Sequence, residues 1–262
     1  MKPYVKRQKN DAADAEAICE AVTRPNMRFV AVKTEEQQGV LVLHRSRDLL
    51  MRQRTMILNA IRAHFAEFGI ITAQGPRKVI DLVSRLRDDD SLGLPDVVRS
   101  ALLALAIQLD SLAVEARNIE RRLMAWHKQR VASQRLETIP GVGILTATAL
   151  AASVPDPSVF KSGRQFAAYL GLVPRQNSSG GKDRLGHISK MGNGYLRKLL
   201  VVGATSVTRR APTTDTRTGV WVRSLLKCKP IRVVTVAIAN KAARIAWALL
   251  TKEEAYKAAS AS

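Results

Sequence analysis

Residues able to act on a phosphate group concentrate in one stretch of this 262-residue chain, Gly171 to Lys198. Ser178, Ser179 and Ser189 stand there among Gly180, Gly181, Gly186, Gly192 and Gly194. Arg175, Lys182, Arg184, Lys190, Arg197 and Lys198 surround them, against the single acid Asp183. Glycine lets backbone approach a ligand closely and adopt positive φ. Exposed N–H groups with Lys and Arg are a common grip on phosphate. A hydroxyl in such a place is either a nucleophile or part of a phosphate-gripping loop. His187, in the same stretch, is a general acid or base or a hydrogen-bond partner.

Two further groups carry chemistry. Asp11 and Asp14 lie three residues apart in an alanine-rich segment, so a helix puts both carboxylates on one face. They are ligands for Mg²⁺, which needs few protein carboxylates, or they are first-turn acids that complement a helix dipole. Ile139-Pro-Gly-Val-Gly143 is a tight turn between two helical patterns, the helix-hairpin-helix arrangement. Its Gly141, Val142 and Gly143 are expected to turn N–H groups and a helix N-terminus toward a DNA phosphate. The plainer alternative is an αα-turn that needs glycine.

Composition narrows the partners. Hydrophobic residues make up 46% of the chain, a globular proportion, and the net charge is +20. Such an excess attracts polyanions, and nucleic acid is the partner it fits best. Two cysteines, Cys19 and Cys228, are too few for a disulfide framework and lack zinc-ligand spacing. No secretory h-region follows the basic residues 1–7, and Lys241 and Arg244 interrupt the apolar run at 231–250. A cytosolic, nucleoid-associated location without a membrane partner is expected.

The elements that must position these residues are helical. A short helix follows Asn10, a brief extended piece covers 28–33, and a long helical pattern runs from Glu35 to Phe68. Its seam steps through Val40, Leu43, Arg47, Leu50, Arg54, Ile57, Ile61, His64 and Phe68. A short helix at 79–86 comes next. A second seam then runs through Val98, Leu102, Leu105, Leu109, Leu112, Ala116, Ile119, Leu123 and Trp126. The pair reads as an antiparallel coiled-coil arm that also offers a dimerisation surface, or as ordinary bundle helices inside a compact domain. Beyond Arg135 the pattern predicts the hairpin, helices at 163–170, from 193 onward and at 231–256, and a loop at 209–219. Strand signal is almost absent.

Three segments together carry a family resemblance: Lys9-Asn-Asp-Ala-Ala-Asp-Ala-Glu-Ala-Ile18, the 139–143 hairpin, and the 171–198 stretch with Gly171-Leu-Val-Pro174, Ser178-Ser-Gly180 and Ile188-Ser-Lys-Met-Gly-Asn193. In this order the chain resembles the DEDD-type insertion-sequence transposases, relatives of the Piv invertase that include bridge-RNA-guided recombinases. The resemblance implies a mainly α fold in three parts. Residues 1–34 would be the remnant of a RuvC-like catalytic domain, 35–133 the coiled-coil arm, and 134–262 a transposase domain with the helix-hairpin-helix and a serine loop.

By the same likeness, Asp11 and Asp14 match the last two acids of an Asp-Glu-Asp-Asp metal site that uses Mg²⁺. Ser179 matches the nucleophilic serine, with Ser178 beside it as the other register. Arg175, Lys182, Arg184, Lys190 and Arg197 would be backbone contacts. The implied activity is metal-assisted DNA strand cleavage and exchange on insertion-element ends, by a homo-oligomer and with a guide RNA. The sheet bearing the first Asp and the Glu has no counterpart before Asp11, so the chain is expected to be N-terminally truncated and the enzyme incomplete. The alternative is a non-catalytic helix-hairpin-helix DNA-binding protein.

Overall fold

The computed structural model describes residues 10–25, 31–88, 92–178, 181–182 and 184–257. Helix α1, Asp11–Thr23, starts where the Asn10 side chain accepts from the Ala12 N–H. Helix α2, Glu35–Glu67, opens with a reciprocal capping box between Thr34 and Gln37. Helices α3, Pro76–Asp88, and α4, Asp96–Gln129, follow. At 1.5 Å per residue α2 and α4 are each about 50 Å long.

These two helices run antiparallel. At one end Glu36 accepts from Trp126 Nε1 at 2.6 Å and pairs with Arg130. Halfway along, Arg47 pairs with Glu120 at 2.6 Å. At the far end Leu58, Ile61 and Phe65 pack on Leu102, Ala106 and Leu109, and α3 closes the tip with Val79, Leu82, Val83 and Leu86. On α4 the predicted seam positions Leu102, Leu109, Leu112, Ala116 and Leu123 are buried, while Ala106 and His127 are buried beside the half-buried Leu105 and Trp126. On α2 the buried stripe departs from the predicted seam: His44, Leu58 and Phe65 are buried where Leu43, Ile57 and His64 were expected, and Phe68 is exposed. A seam of period 3.5 describes a helix with one partner. Helix α2 packs on α3, α4 and α6, so its buried stripe is wider than one seam.

The base of the arm is not free. Val40 and Leu123 join Ala152 of the following bundle in one small core. That bundle contains α5, Val131–Glu137; α6, Ile144–Ser153; α7, Gly163–Tyr169; α8, Gly194–Arg210; α9, Arg217–Leu226; and α10, Ile231–Lys252. Helix α10 lies at its centre, touching α5, α7, α8 and α9. By length and composition α4 and α10 would each be able to cross a bilayer; α10 instead buries Val234, Ile238, Ala243 and Ala246 in the bundle core, and α4 pairs with α2.

Three expectations need correction. A two-stranded antiparallel hairpin, β1 Pro174–Gln176 and β2 Leu185–Ile188, stands where almost no strand was expected. The predicted loop at 209–219 is shorter, because α8 continues to Arg210 and α9 begins at Arg217 under a Thr216 cap. Helix α10 ends at Lys252 rather than near Tyr256, because Glu253 turns left-handed. The extended piece predicted at 28–33 lies largely outside the described residues.

Glycine sets the closest crossing in the bundle. Gly141 takes φ +84 in the α5–α6 turn, and a Cβ on Gly203 of α8 would lie 1.8 Å from the Gly141 carbonyl oxygen. Backbone meets backbone there, so no side-chain rotation relieves the clash. Gly203→Ala is expected to cost roughly 2–4 kcal/mol, read as a lowered Tm, whereas Val202→Ala at the exposed neighbouring position should stay within about 0.5 kcal/mol. Equal stability of both variants would contradict this crossing.

Candidate functional site: the serine hairpin and its supports

The hairpin that carries the serines is held from below. Ser189 N–H donates to Val173 O at 2.8 Å and Lys190 N–H to Gly171 O at 3.2 Å, closing the neck. A Cβ on Gly192, which has φ +68, would lie 1.9 Å from Tyr169 O, so only glycine lets the neck press on the end of α7. Arg197, expected to contact DNA, donates from Nη1 to Leu170 O at 2.9 Å and Met191 O at 2.8 Å. It straps the two sides of the neck together. Arg175 likewise donates to Ser189 O at 3.2 Å across the hairpin.

The tip differs from the neck. Ser178 Oγ accepts from the Arg184 N–H at 3.2 Å, the local role of a turn serine. Ser179 lies outside the described residues. Lys182, Arg184 and Lys190 are exposed, and among the described residues none of them enters an ion pair. Positive φ at Gly181 and Lys190 marks the two sharp bends. His187 is exposed on β2.

Helix α8 couples this neck to the arm. Asn193 caps it, accepting from the Tyr195 and Leu196 N–H groups. Two turns of α8 then grip α2: Lys198 Nζ lies 2.5 Å from Asp48 Oδ1, and Tyr195 Oη lies 3.1 Å from His44 Nδ1. His44 is 1% exposed, and its Nε2 lies 3.1 Å from Thr148 Oγ1 of α6. Thr148 gives its own proton to Ile144 O at 2.7 Å, so its oxygen can only accept from the ring. Nε2 therefore carries the hydrogen, and Nδ1 accepts from Tyr195. Burial, and then the nearby Arg47 guanidinium, push the His44 pKa down to about 4. Nothing in the sequence singled out this residue beyond its i,i+4 spacing from Val40.

The hairpin turn between α5 and α6 is present as predicted, but its residues divide. Gly141 serves the crossing with α8. Val142 is buried, and its N–H is committed to Ile139 O at 2.9 Å, so neither its side chain nor its N–H faces outward. Gly143 is exposed and caps α6 with no side-chain hydrogen bond. The first turn of α6 opens on a cleft of about 630 Å³ between α4, α6 and α8, whose rim includes Arg210 but also Glu120 and Glu137.

Asp11 and Asp14 are exposed in the first turn of α1. Among the described residues no three His, Cys, Asp or Glu side chains gather into a metal cage. A pair of adjacent carboxylates still suits Mg²⁺, which keeps waters and phosphate oxygens in its shell and takes one or two protein carboxylates. Among the described residues no hydrogen bond or ion pair joins Asp11 or Asp14 to the β-hairpin.

Comparison gives the family. Residues 133–218, from α5 to the start of α9, match the family model described as Transposase IS116/IS110/IS902 family. The chain is 46% identical over 259 residues to a putative transposase y4pF/y4sB of Sinorhizobium fredii, covering 98% of this chain and 66% of that one. It is 46% identical to a probable family 20 transposase of Pseudomonas aeruginosa, covering 98% of this chain and 76% of that one. A transposase for insertion sequence element IS1111A of Coxiella burnetii is 40% identical, with 98% and 71% covered. The chain belongs to the IS116/IS110/IS902 transposase family, and it spans about two thirds to three quarters of the length of these relatives.

The His44 contact has a pH signature. Its folded pKa of about 4 lies below the ordinary 6.5, so the folded state favours the neutral ring. The associated stability is complete above pH 6.5 and is lost as the pH falls toward 4. A shift of this size corresponds to about 3 kcal/mol. Thermal melts of the parent chain and His44→Gln should therefore differ most above pH 7 and converge toward pH 4.5. A gap independent of pH would contradict the assignment.

Proposed function

We propose that the chain is the larger part of an insertion-element transposase that cleaves and exchanges DNA strands through Ser179. The observation that carries this is the hairpin: Ser178 is used in holding the turn, exposed Lys182 and Arg184 stand at the tip close in sequence to Ser179, and Lys190 is exposed at the neck. Cations so placed neutralise the equatorial oxygens of an attacked phosphodiester. The Ser179 hydroxyl attacks phosphorus, its Oγ–P bond forms as a P–O bond of the strand breaks, and the proton passes to the departing strand's oxygen through solvent or a nearby base. One phosphodiester replaces another, so the step needs no external energy source and the strand end can be returned to a new hydroxyl.

Asp11 and Asp14 would hold Mg²⁺, which adds charge neutralisation at the phosphate when bound. Among the described residues no hydrogen bond or ion pair joins Asp11 or Asp14 to the hairpin, and in this reading the acids that serve a given hairpin come from another copy of the chain. Homo-oligomerisation supplies them, and exposed Val97, Ile107, Val114 and Met124 on α4 support such an assembly. DNA of the element ends, a target duplex and a guide RNA are the partners this reading assigns, consistent with the +20 charge. The relatives named as insertion-sequence transposases support the same reading.

The test is chemical. On element-end DNA with Mg²⁺, the full-length transposase should form an SDS-resistant protein–DNA adduct. Ser179→Ala should lower its yield by at least about a hundredfold, while Ser178→Ala should change it only a few-fold. An adduct that persists in Ser179→Ala would overturn the assignment.

A further inference from the structure

A second concave face lies between α7, α9 and α10, and none of the residues assigned above lines it. The cavity measures about 870 Å³. Arg164, Lys241 and Arg244 line it, and no carboxylate does. Among the described residues none of these cations has an acidic partner within ion-pair distance. Lys241 Nζ sits 4.4 Å from the centroid of the Trp221 ring. Trp247 lines the same wall, its Nε1 anchored to Pro157 O at 3.1 Å.

Packing builds this arrangement. A Cβ on Gly163 would lie 3.0 Å from Arg244 O, so α7 rests directly on α10 and brings Arg164 beside Arg244. Burial, then Arg217 and Arg244, hold the Lys241 ammonium below its ordinary pKa. Like charges gathered in a concave site repel unless an anion joins them. Indole walls beside those cations add what inorganic phosphate cannot use, a surface for a sugar or a base. A duplex keeps its bases stacked inside, whereas a single strand offers phosphate and base together to such a cavity.

We propose that this face binds single-stranded nucleic acid, with a backbone phosphate between Lys241 and Arg244 and the adjoining nucleotide against Trp221 and Trp247. It lies apart from the serine hairpin and does not depend on Ser179 being a nucleophile. The site would hold a strand displaced from its partner, or an unpaired strand of RNA, while the hairpin acts elsewhere.

Fluorescence anisotropy with a short labelled oligothymidylate tests it. Lys241→Gln/Arg244→Gln should weaken binding roughly tenfold and flatten the slope of log affinity against log salt by about 0.7, one single-strand phosphate contact. Affinity for a duplex of the same length should change less than about twofold, and since oligothymidylate binding without Mg²⁺ involves no strand cleavage, failure here is distinct from failure of the serine chemistry. In a Trp126→Phe background, where Trp221 and Trp247 are the remaining indoles, oligothymidylate should quench tryptophan emission. Unchanged single-strand affinity in the double variant, equal weakening toward duplex, absence of quenching, or displacement of the strand by inorganic phosphate at equal phosphate concentration would each overturn the proposal.

Discussion

A neutral imidazole buried where α2, α6 and α8 meet is the contact on which the arrangement depends. His44 receives one hydrogen bond from Tyr195 and gives one to Thr148, so three helices share one ring. Around it Arg47 pairs with Glu120 of α4, and Asp48 pairs with Lys198 of α8. A proton added to the ring would face the Arg47 guanidinium in a site closed to water, which is why burial and like charge hold the ring neutral. Hydrogen bonds in such a place are costly to break because each partner would be left buried and unsatisfied.

From this contact the functional parts are positioned in both directions. Helix α8 leads back through Asn193 and Arg197 to the neck of the serine hairpin, and onward through Gly203 to the α5–α6 turn. Helix α2 leads outward to a tip closed by α3. The hairpin, the glycine turn and the arm therefore share one helix as a common support, and movement of α8 would be felt at all three. The cations divide by the same logic. Arg197 and Arg175 hold the neck through carbonyl oxygens, whereas Lys182 and Arg184 at the tip keep their charge toward solvent. A basic residue near a candidate serine is thus not one kind of residue: its neighbours decide whether it binds the fold or a ligand.

Much of the helical plan was legible in the sequence because capping residues and apolar spacing are local signals. Helices α2, α7 and α8 begin at or within one residue of their expected starts, and most of the α4 seam is buried as expected. What local pattern missed depends on a second partner. The α2 stripe moved to His44, Leu58 and Phe65 because α6 and α3 also press on it, and no period measured along one helix contains that. The β-hairpin was missed because its strands are three and four residues long, exposed and bulged, with no alternation to detect. Gly141 was expected to serve a phosphate, and the need for glycine there comes from Gly203, sixty-odd residues later in the chain. At the candidate site, the cation-rich tip was readable from composition alone, whereas the roles of Arg197 and Val142 required their hydrogen-bond partners.

The most direct test of this account is the titration of the His44 ring itself, followed by NMR in the folded chain with labelled histidine. A pKa near 4, with the ring neutral and Nε2 protonated throughout the neutral range, is the predicted result. A midpoint near 6.5, or an Nδ1–H tautomer at neutral pH, would show that the ring is not locked between Tyr195 and Thr148 and would contradict the joining of arm, turn and serine hairpin through α8.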